Sequence, residues 1–471
     1  MFLKILQWIR ERLDKMLNTT SVKSALKIDV AITPLMGEAL QLWSLMYINQ
    51  APWLNDQIKS LNLPAAIASE ISRSVTIELE SEITGSPRAD FLYQQMDKVL
   101  PKLRQQIEYG IAKGGLVFKP YISGNQIAVD YVQADQFYPV AFDANGNMTA
   151  CVFSDTKIIG RDYYTRLEYH SMVDNGCTII NMAFKSTAKD TLGNQVPLAS
   201  VEAWAELAPE ATILNIDRPL FAYFKYPLAN NIDPTSPLGV SGYSRAVELI
   251  EQADKQWSDF LWEFESGKRA LYTDTNAFEK DKKTNKPILP DRRLYRLLDL
   301  QGAIDKQGLF EDWTPTIREA NILNGLDAIL KRIEFTCGLA SGTISDPNSV
   351  ALTATEIKAS KQRTYATITD TQGALEDALE NLLYAMDVWA TIGNLAPKGK
   401  FSAAFYFDDS IVADHDTQFT QDSQAVAMGV MSKVEFRMNN YGETEEVARQ
   451  YIQMIATEQD PNNFFPNEGV Q

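Results

Sequence analysis

Residues 346–365 read DPNSVALTATEIKASKQRTY. A short polar loop containing Pro347 runs straight into a helical pattern that carries Lys358, Lys361 and Arg363. Long helices are expected on both sides of it. Upstream, over 317–340, Leu323, Leu326, Leu330, Ile333 and Cys337 recur at alternating three- and four-residue steps, one face of a helix. Downstream, over 353–392, the same rhythm is kept by Tyr365, Ile368, Leu375, Leu379, Leu382, Met386 and Trp389. Such a helix would be about 60 Å long if straight. Gly373, after the β-branched run Thr367, Ile368, Thr369 and Thr371, marks an expected kink or weak point. Pro397 and Gly399 close the segment. A third helix is read over 244–266 from Val247, Ile250, Trp257, Leu261 and Phe264. Asp254 stands where one more apolar residue would fall, either fixing register or facing solvent.

Further outward the period changes. Residues 30–112 read as helices, stopped by Gly114 and Gly115. From 116 to about 184, apolar and polar residues alternate, with turn chemistry at Ser123–Gly124–Asn125, Asn145–Gly146 and Asn175–Gly176, which predicts one β-meander. A short helix follows near ASVEAWAEL, then the Pro-rich approach RPLFAYFKYPLANNIDPTSPLGVSGYSRA. Between the two mid-chain helices, 267–316 is short-strand and turn material. From Lys268 to Arg296 it holds nine Lys/Arg against four Asp/Glu, a net +5 in a chain of net −17. Lys280, Lys282, Lys283, Lys286, Arg292 and Arg293 make it either a solvated basic loop or a docking surface for an acidic partner. The end of the chain predicts a strand, KFSAAFYFDD, and helices near 414–428, 431–438 and 443–457, with Thr444 as a cap. The fold class expected is α+β, mainly α.

The composition narrows function. At 45% hydrophobic and 22% charged, the chain can fill several domain-sized cores. Cys151, Cys177 and Cys337 show no metal-ligand spacing and suit a reducing compartment. With only His170 and His415, zinc chemistry and His-dependent triads are poorly supplied. No G-x-x-x-x-G-K-[ST] or H-E-x-x-H occurs. GVSGYS approaches a nucleophile elbow, but Tyr243 occupies the last glycine position. Asp408, Asp409, Asp414, Asp416 and Asp422 cluster without EF-hand spacing and read as a solvated acidic face. No catalytic residue, cofactor or metal is therefore expected. The amphipathic start, MFLKILQWIRERLDKMLN, reads as a helix that docks on protein, and no apolar run is long enough to span a bilayer.

Three stretches in order carry a family likeness: PLFAYFKYPLANNIDPTSPLGVSGYSRA, CGLASGTISDPNSVALTATEIKASKQRTYATI, and FDDSIVADHDTQ with VAMGVMSKVEFRMNNYGETEEVARQYI. With the order of elements around them, the chain resembles the portal proteins of tailed double-stranded DNA bacteriophages, of the type found in phages of Gram-positive bacteria. The resemblance implies a non-enzymatic virion protein, assembled in the host bacterial cytoplasm as a ring at one capsid vertex, usually of twelve subunits. It implies an N-terminal helix at 1–24, a wing at 25–240, stem helices at 241–266 and 317–340, and a clip at 267–316. A tunnel loop at 341–352, a long helix and strand at 353–409, and a short crown at 410–471 complete the division. Ser345, Asp346, Asn348 and Ser349 would line the DNA channel. Lys358, Lys361 and Arg363 would steer DNA or pair with a neighbouring subunit. The clip would meet the terminase motor and later a head–tail adaptor. Major capsid and scaffold proteins would be further partners. The competing expectation is a virion structural or adaptor protein without a DNA channel. Charge favours a conduit: twelve copies of a −17 chain carry roughly −200, which repels duplex DNA instead of trapping it.

Overall fold

Proline starts set the helical opening of the chain. α2 (Pro34–Tyr47), α3 (Leu63–Thr76), α4 (Pro87–Met96) and α5 (Leu100–Lys113), which follow α1 (Thr19–Leu26), each carry Pro in the first two helical positions. There the missing N–H leaves no intrahelical bond unmade. This computed structural model describes residues 19–188, 191–268, 270–274, 295–298, 310–313, 316–346, 354–407 and 415–458. The amphipathic 1–18 stretch lies outside them.

The chain forms two units, Met1–Phe407 and Asp408–Gln471. In the first, Leu79–Thr84 is a strand, β1, inside the region predicted to be helical throughout. It pairs antiparallel with β14 (Ser402–Phe407), Leu79 opposite Phe407. Its partner comes from the far end of the unit, so nothing in LESEIT itself announces a strand.

The alternating region divides into two sheets instead of one meander. β2 (Gly115–Ser123) and β3 (Gln126–Gln133) form a hairpin, and β10 (Ala222–Lys225) joins the other edge of β2. β4 (Phe137–Phe142), β5 (Met148–Ile159), β6 (Asp162–Val173), β7 (Gly176–Ser186) and β8 (Asn194–Val196) follow in sequence order, with β9 (Glu210–Leu214) also on β7. The ASVEAWAEL helix is two 3₁₀ turns, Leu198–Ser200 and Glu202–Trp204. One largely buried carboxylate joins the sheets. Glu168 on β6 takes Lys119 of β2 at 2.8 Å, Arg166 at 2.9 Å and His170 Nε2 at 2.8 Å. Burial alone would raise the Glu168 carboxyl. Lys119, then His170 and Arg166, outweigh it and hold it well below the usual carboxylate range.

Past β10, Ser241–Gly242–Tyr243 is fully buried or nearly so. Tyr243 Oη donates to Trp43 O at 2.8 Å. Gly239 meets Gly114, whose φ is +85°, so closely that a Cβ on Gly239 would sit 2.0 Å from Gly114 O. The GVSGYS stretch is thus a packing seam against the α5–β2 junction, with no exposed hydroxyl for a nucleophile.

A 3₁₀ turn (Ser244–Ala246) leads into α6 (Val247–Ser266). Asp254, the odd residue of its apolar stripe, is 2% exposed. It accepts from Trp53 Nε1 at 2.9 Å and Leu61 N at 2.8 Å, while Ser258 one turn on accepts from Lys59 N at 2.8 Å. These side chains seat the 51–62 connection on α6. β11 (Ala270–Asp274), β12 (Tyr295–Leu298) and β13 (Phe310–Trp313) form a small sheet in the order β12–β11–β13. α7 (Glu319–Cys337) then returns antiparallel to α6. Arg318 grips Glu263 at one end of the pair, and Gln256 Nε2 donates to Ile322 O further along.

α8 (Ala354–Ile392) is one unbroken helix. A Cβ on Gly373 would touch nothing, and Thr371 Oγ1 bonds back to Thr367 O at 2.6 Å. Leu375, Leu379, Leu382, Leu383 and Met386 are at most 2% exposed, packed under β2 and β10. Each buried side chain of this kind contributes about 1.5–3 kcal/mol.

The second unit holds α9 (His415–Ala427), α10 (Lys433–Tyr441) and α11 (Glu445–Glu458). Ser432 and Glu435 form a reciprocal capping box that starts α10. Arg437 grips Glu443 at 2.6 and 2.7 Å and stacks on Tyr441 and Tyr451. Of the acidic cluster, Asp422 is buried and accepts from Asn440 Nδ2 at 2.8 Å. Asp408, Asp409 and Asp414 lie outside the described residues.

Candidate functional site: the corner between two long helices

The corner begins where α7 stops. Gly338, at φ +75°, ends the helix in the left-handed conformation that glycine adopts freely. It also meets α8: a Cβ there would lie 2.3 Å from Thr367 Oγ1, and that hydroxyl donates to Gly338 O at 3.1 Å. Leu339, 2% exposed, is tucked in behind it, its N–H on Glu334 O at 2.8 Å. On the outer side, the Phe335 ring carries two guanidinium groups, Arg363 of α8 at 4.3 Å and Arg332 at 5.1 Å. Two contacts, Thr367 on Gly338 and Arg363 on Phe335, therefore hold the end of α7 against α8.

The chain then doubles back along α7. Ala340–Thr343 makes a turn closed by Thr343 N and Oγ1 on Ala340 O. The next residues close on a single side chain, Glu334, which is 1% exposed. Its Oε1 accepts from Ile344 N at 2.6 Å and Ser345 N at 2.8 Å. Its Oε2 accepts from Ser345 Oγ at 2.9 Å and Gly342 N at 3.3 Å. Successive backbone N–H groups that converge in this way form a nest for a negative charge. One residue on, Asp346 N donates to Asp327 Oδ1 at 3.1 Å, and Asp327 pairs with Lys331 at 2.8 Å. Asp327 and Glu334 are two helical turns apart on α7, about 10 Å.

Ser345, expected on a channel surface, is 4% exposed, because its hydroxyl is spent on Glu334. Asp346 is exposed. Asn348 and Ser349 lie outside the described residues, as do Lys280, Lys282, Lys283, Lys286, Arg292 and Arg293 of the basic insert. Lys358 sits in α8 with its side chain outside the described residues. Lys361 is exposed, and Arg363 is half-buried on Phe335. The structure thus gathers Ser345, Asp346 and Arg363 at one corner.

Chemistry at this corner is that of positioning. Among the described residues no group of His, Cys, Asp and Glu could hold a metal ion, and no helix is long and apolar enough to cross a membrane. Burial pushes the thiols of Cys177 to about 11 and Cys337 to about 12, and that of Cys151 well above its ordinary value, which makes them poor nucleophiles at neutral pH.

These features define an α+β protein organised around long helices. Residues 93–462 match the family described as phage portal protein, SPP1 Gp6-like. That match covers well over half of the chain, so the chain belongs to this family of phage portal proteins and is a component of the virion. No curated protein matches it. Among solved structures, it is similar to a chain of the neck of a native GTA particle computed with C12 symmetry. The identity is 11%, over 80% of this chain and 90% of that one, with a TM-score of 0.39.

Proposed function

We propose that this chain is the subunit of a portal ring of twelve copies, through which double-stranded DNA enters the capsid during packaging and leaves during ejection, without sequence specificity. In this reading α6 and α7 are the paired stem, and 267–316 is the clip that docks the terminase motor and then head–tail adaptors. The loop after α7 faces the DNA, and 410–471 is a crown. Major capsid and scaffold proteins surround the ring as it assembles. The observation that carries the reading is the corner itself: a polar loop whose root is fixed on one long helix and which leads straight into another. An adaptor that passes no DNA has no use for such a loop. The acidic surface supports it further, since a conduit must not bind phosphate tightly.

Imaging tests it. Purified protein in negative stain is expected to form rings with a central hole about as wide as a DNA duplex. A monomer at every concentration, with no rings in particles, would sink the proposal.

A further inference from the structure

We propose that Glu334 is the positioning residue for the loop: its carboxylate straps residues 342–346 to α7, so that the root of the loop moves with that helix as one body. A buried carboxylate is costly unless hydrogen bonds replace its lost water. Here four donors do so, three of them backbone N–H groups from the same short stretch. Both oxygens are used, so the carboxylate can neither turn nor slide without breaking two bonds at once. Asp327 repeats the arrangement two turns down the helix, on Asp346 N. The strap therefore lies along α7 and is not merely hung from its end.

The neighbouring contacts set the direction of the coupling. Gly338 is locked to Thr367, and Phe335 lies under Arg363, so the end of α7 is also fixed to α8. A rotation or shift of α7 carries 342–346 along, because Glu334 and Asp327 of α7 hold the N–H groups of Gly342, Ile344, Ser345 and Asp346. The significance for DNA passage depends on the loop reading proposed above; the strap itself does not.

The side chain fits this role in a way that no near relative of it would. Glutamine keeps one oxygen for the N–H groups of Ile344 and Ser345, but it turns an NH₂ toward Gly342 N–H, where donor meets donor. Aspartate is one methylene shorter and withdraws from all four donors. Alanine removes the acceptor. The order of retained hold is therefore Glu, then Gln, then Asp and Ala together.

Amide hydrogen exchange on the full-length protein in its native assembly reads this directly. In Glu334→Ala and Glu334→Asp, the amides of 344 and 345 are expected to exchange about tenfold faster or more, with 326–333 of α7 unchanged. Glu334→Gln should fall between these and the wild type, and Ser345→Ala should give a smaller loss confined to the same residues. Unchanged protection at 344 and 345 in Glu334→Ala would overturn the proposal. So would a loss spread evenly along α7, since Glu334 would then support the helix and not the loop. If Glu334→Ala fails to fold, Glu334→Asp still decides, because it withdraws the acceptor from the same donors: wild-type protection at 344 and 345 in that variant refutes the strap. A freed root in particles that package and retain DNA normally would uphold the strap while counting against the loop's assigned place in the channel.

Discussion

Two carboxylates withdrawn from water show how opposite surroundings give opposite responses to pH. Asp254 loses water without gaining a cation. Desolvation raises its carboxyl above 3.8, and the bonds from Trp53 and Leu61 only partly offset this. A group bound more tightly to its proton in the fold than in the unfolded chain favours folding as pH falls through the interval between the two values. Glu168 is the reverse. Its folded value lies well below 4.5, so its contribution is complete above 4.5 and is lost as pH falls below that. Asp254→Ala strands two buried donors and should cost about 2–4 kcal/mol at pH 7. Glu168→Gln leaves the buried Lys119 with only the more distant Asp130 and the half-buried Arg166 against a neutral group, and should cost about 2–4 kcal/mol. Denaturant unfolding across a pH series checks both the sizes and the signs. On acidification the gap between wild type and Asp254→Ala is expected to widen, while that for Glu168→Gln closes. Parallel slopes would contradict the assignment of causes.

At the scale of elements, the α6–α7 pair is fastened by one exposed but well-formed clamp. Arg318 gives Glu263 its Nε at 3.0 Å, its Nη2 at 2.9 Å and its backbone N–H at 3.1 Å. The side-chain bond from Arg318 is the main cause that draws the Glu263 carboxyl down to about 2. The clamp is therefore complete above 4.5 and is lost as pH falls from there through about 2. An NMR titration should find Glu263 in that low range and return it to the ordinary carboxylate range in Arg318→Ala; an unaltered midpoint would mean the clamp does not form in solution. The elements themselves were largely legible in sequence wherever a local period ran long enough. The three- and four-residue stripe placed α6, α7 and α8 close to their observed bounds, and Gly124, Gly146 and Gly176 marked hairpin turns. What failed was whatever depends on a distant partner. β1 needs β14, and the split between β3 and β4 follows from β10 closing on β2. Glu334 was missed because an acid between Ile333 and Cys337 reads as a surface residue. Its one local sign is Gly338 and Gly342 just after it, which let the chain fold back over the last turn of α7. At Gly373 the helix continues, and packing of Leu375, Leu379 and Leu382 under the sheet supports it there.

At the scale of the molecule, part of the helical stripe is left uncovered among the described residues, and this bears on assembly. On α6 the first half of the apolar face is buried by the chain itself, with Ile250 and Ala253 at 0% exposure. The second half is not: Leu261 is 41%, Trp262 63% and Phe264 38% exposed, and Leu323 across the pair is 42% exposed. Phe260 stacks with Trp257 and meets Phe264 edge-on, so this face is ordered and not a loose fringe. A monomer with such a patch would tend to associate. In the proposed ring, each copy presents it to a different surface of the next, a contact that closes by rotation. Trp262→Glu places a charge at the centre of that patch without touching the core. The variant is expected to keep its circular dichroism and unfolding midpoint but to run as a monomer by light scattering. Repulsion among acidic copies works against the same contact, and salt screens it, the Debye length shrinking from about 10 Å at 0.1 M to about 3 Å at 1 M. Wild-type assembly should therefore strengthen with salt, whereas Trp262→Glu should stay monomeric, because salt cannot restore a desolvated indole. Rings of normal size from Trp262→Glu would show that the exposed half of α6 faces something other than a neighbouring copy.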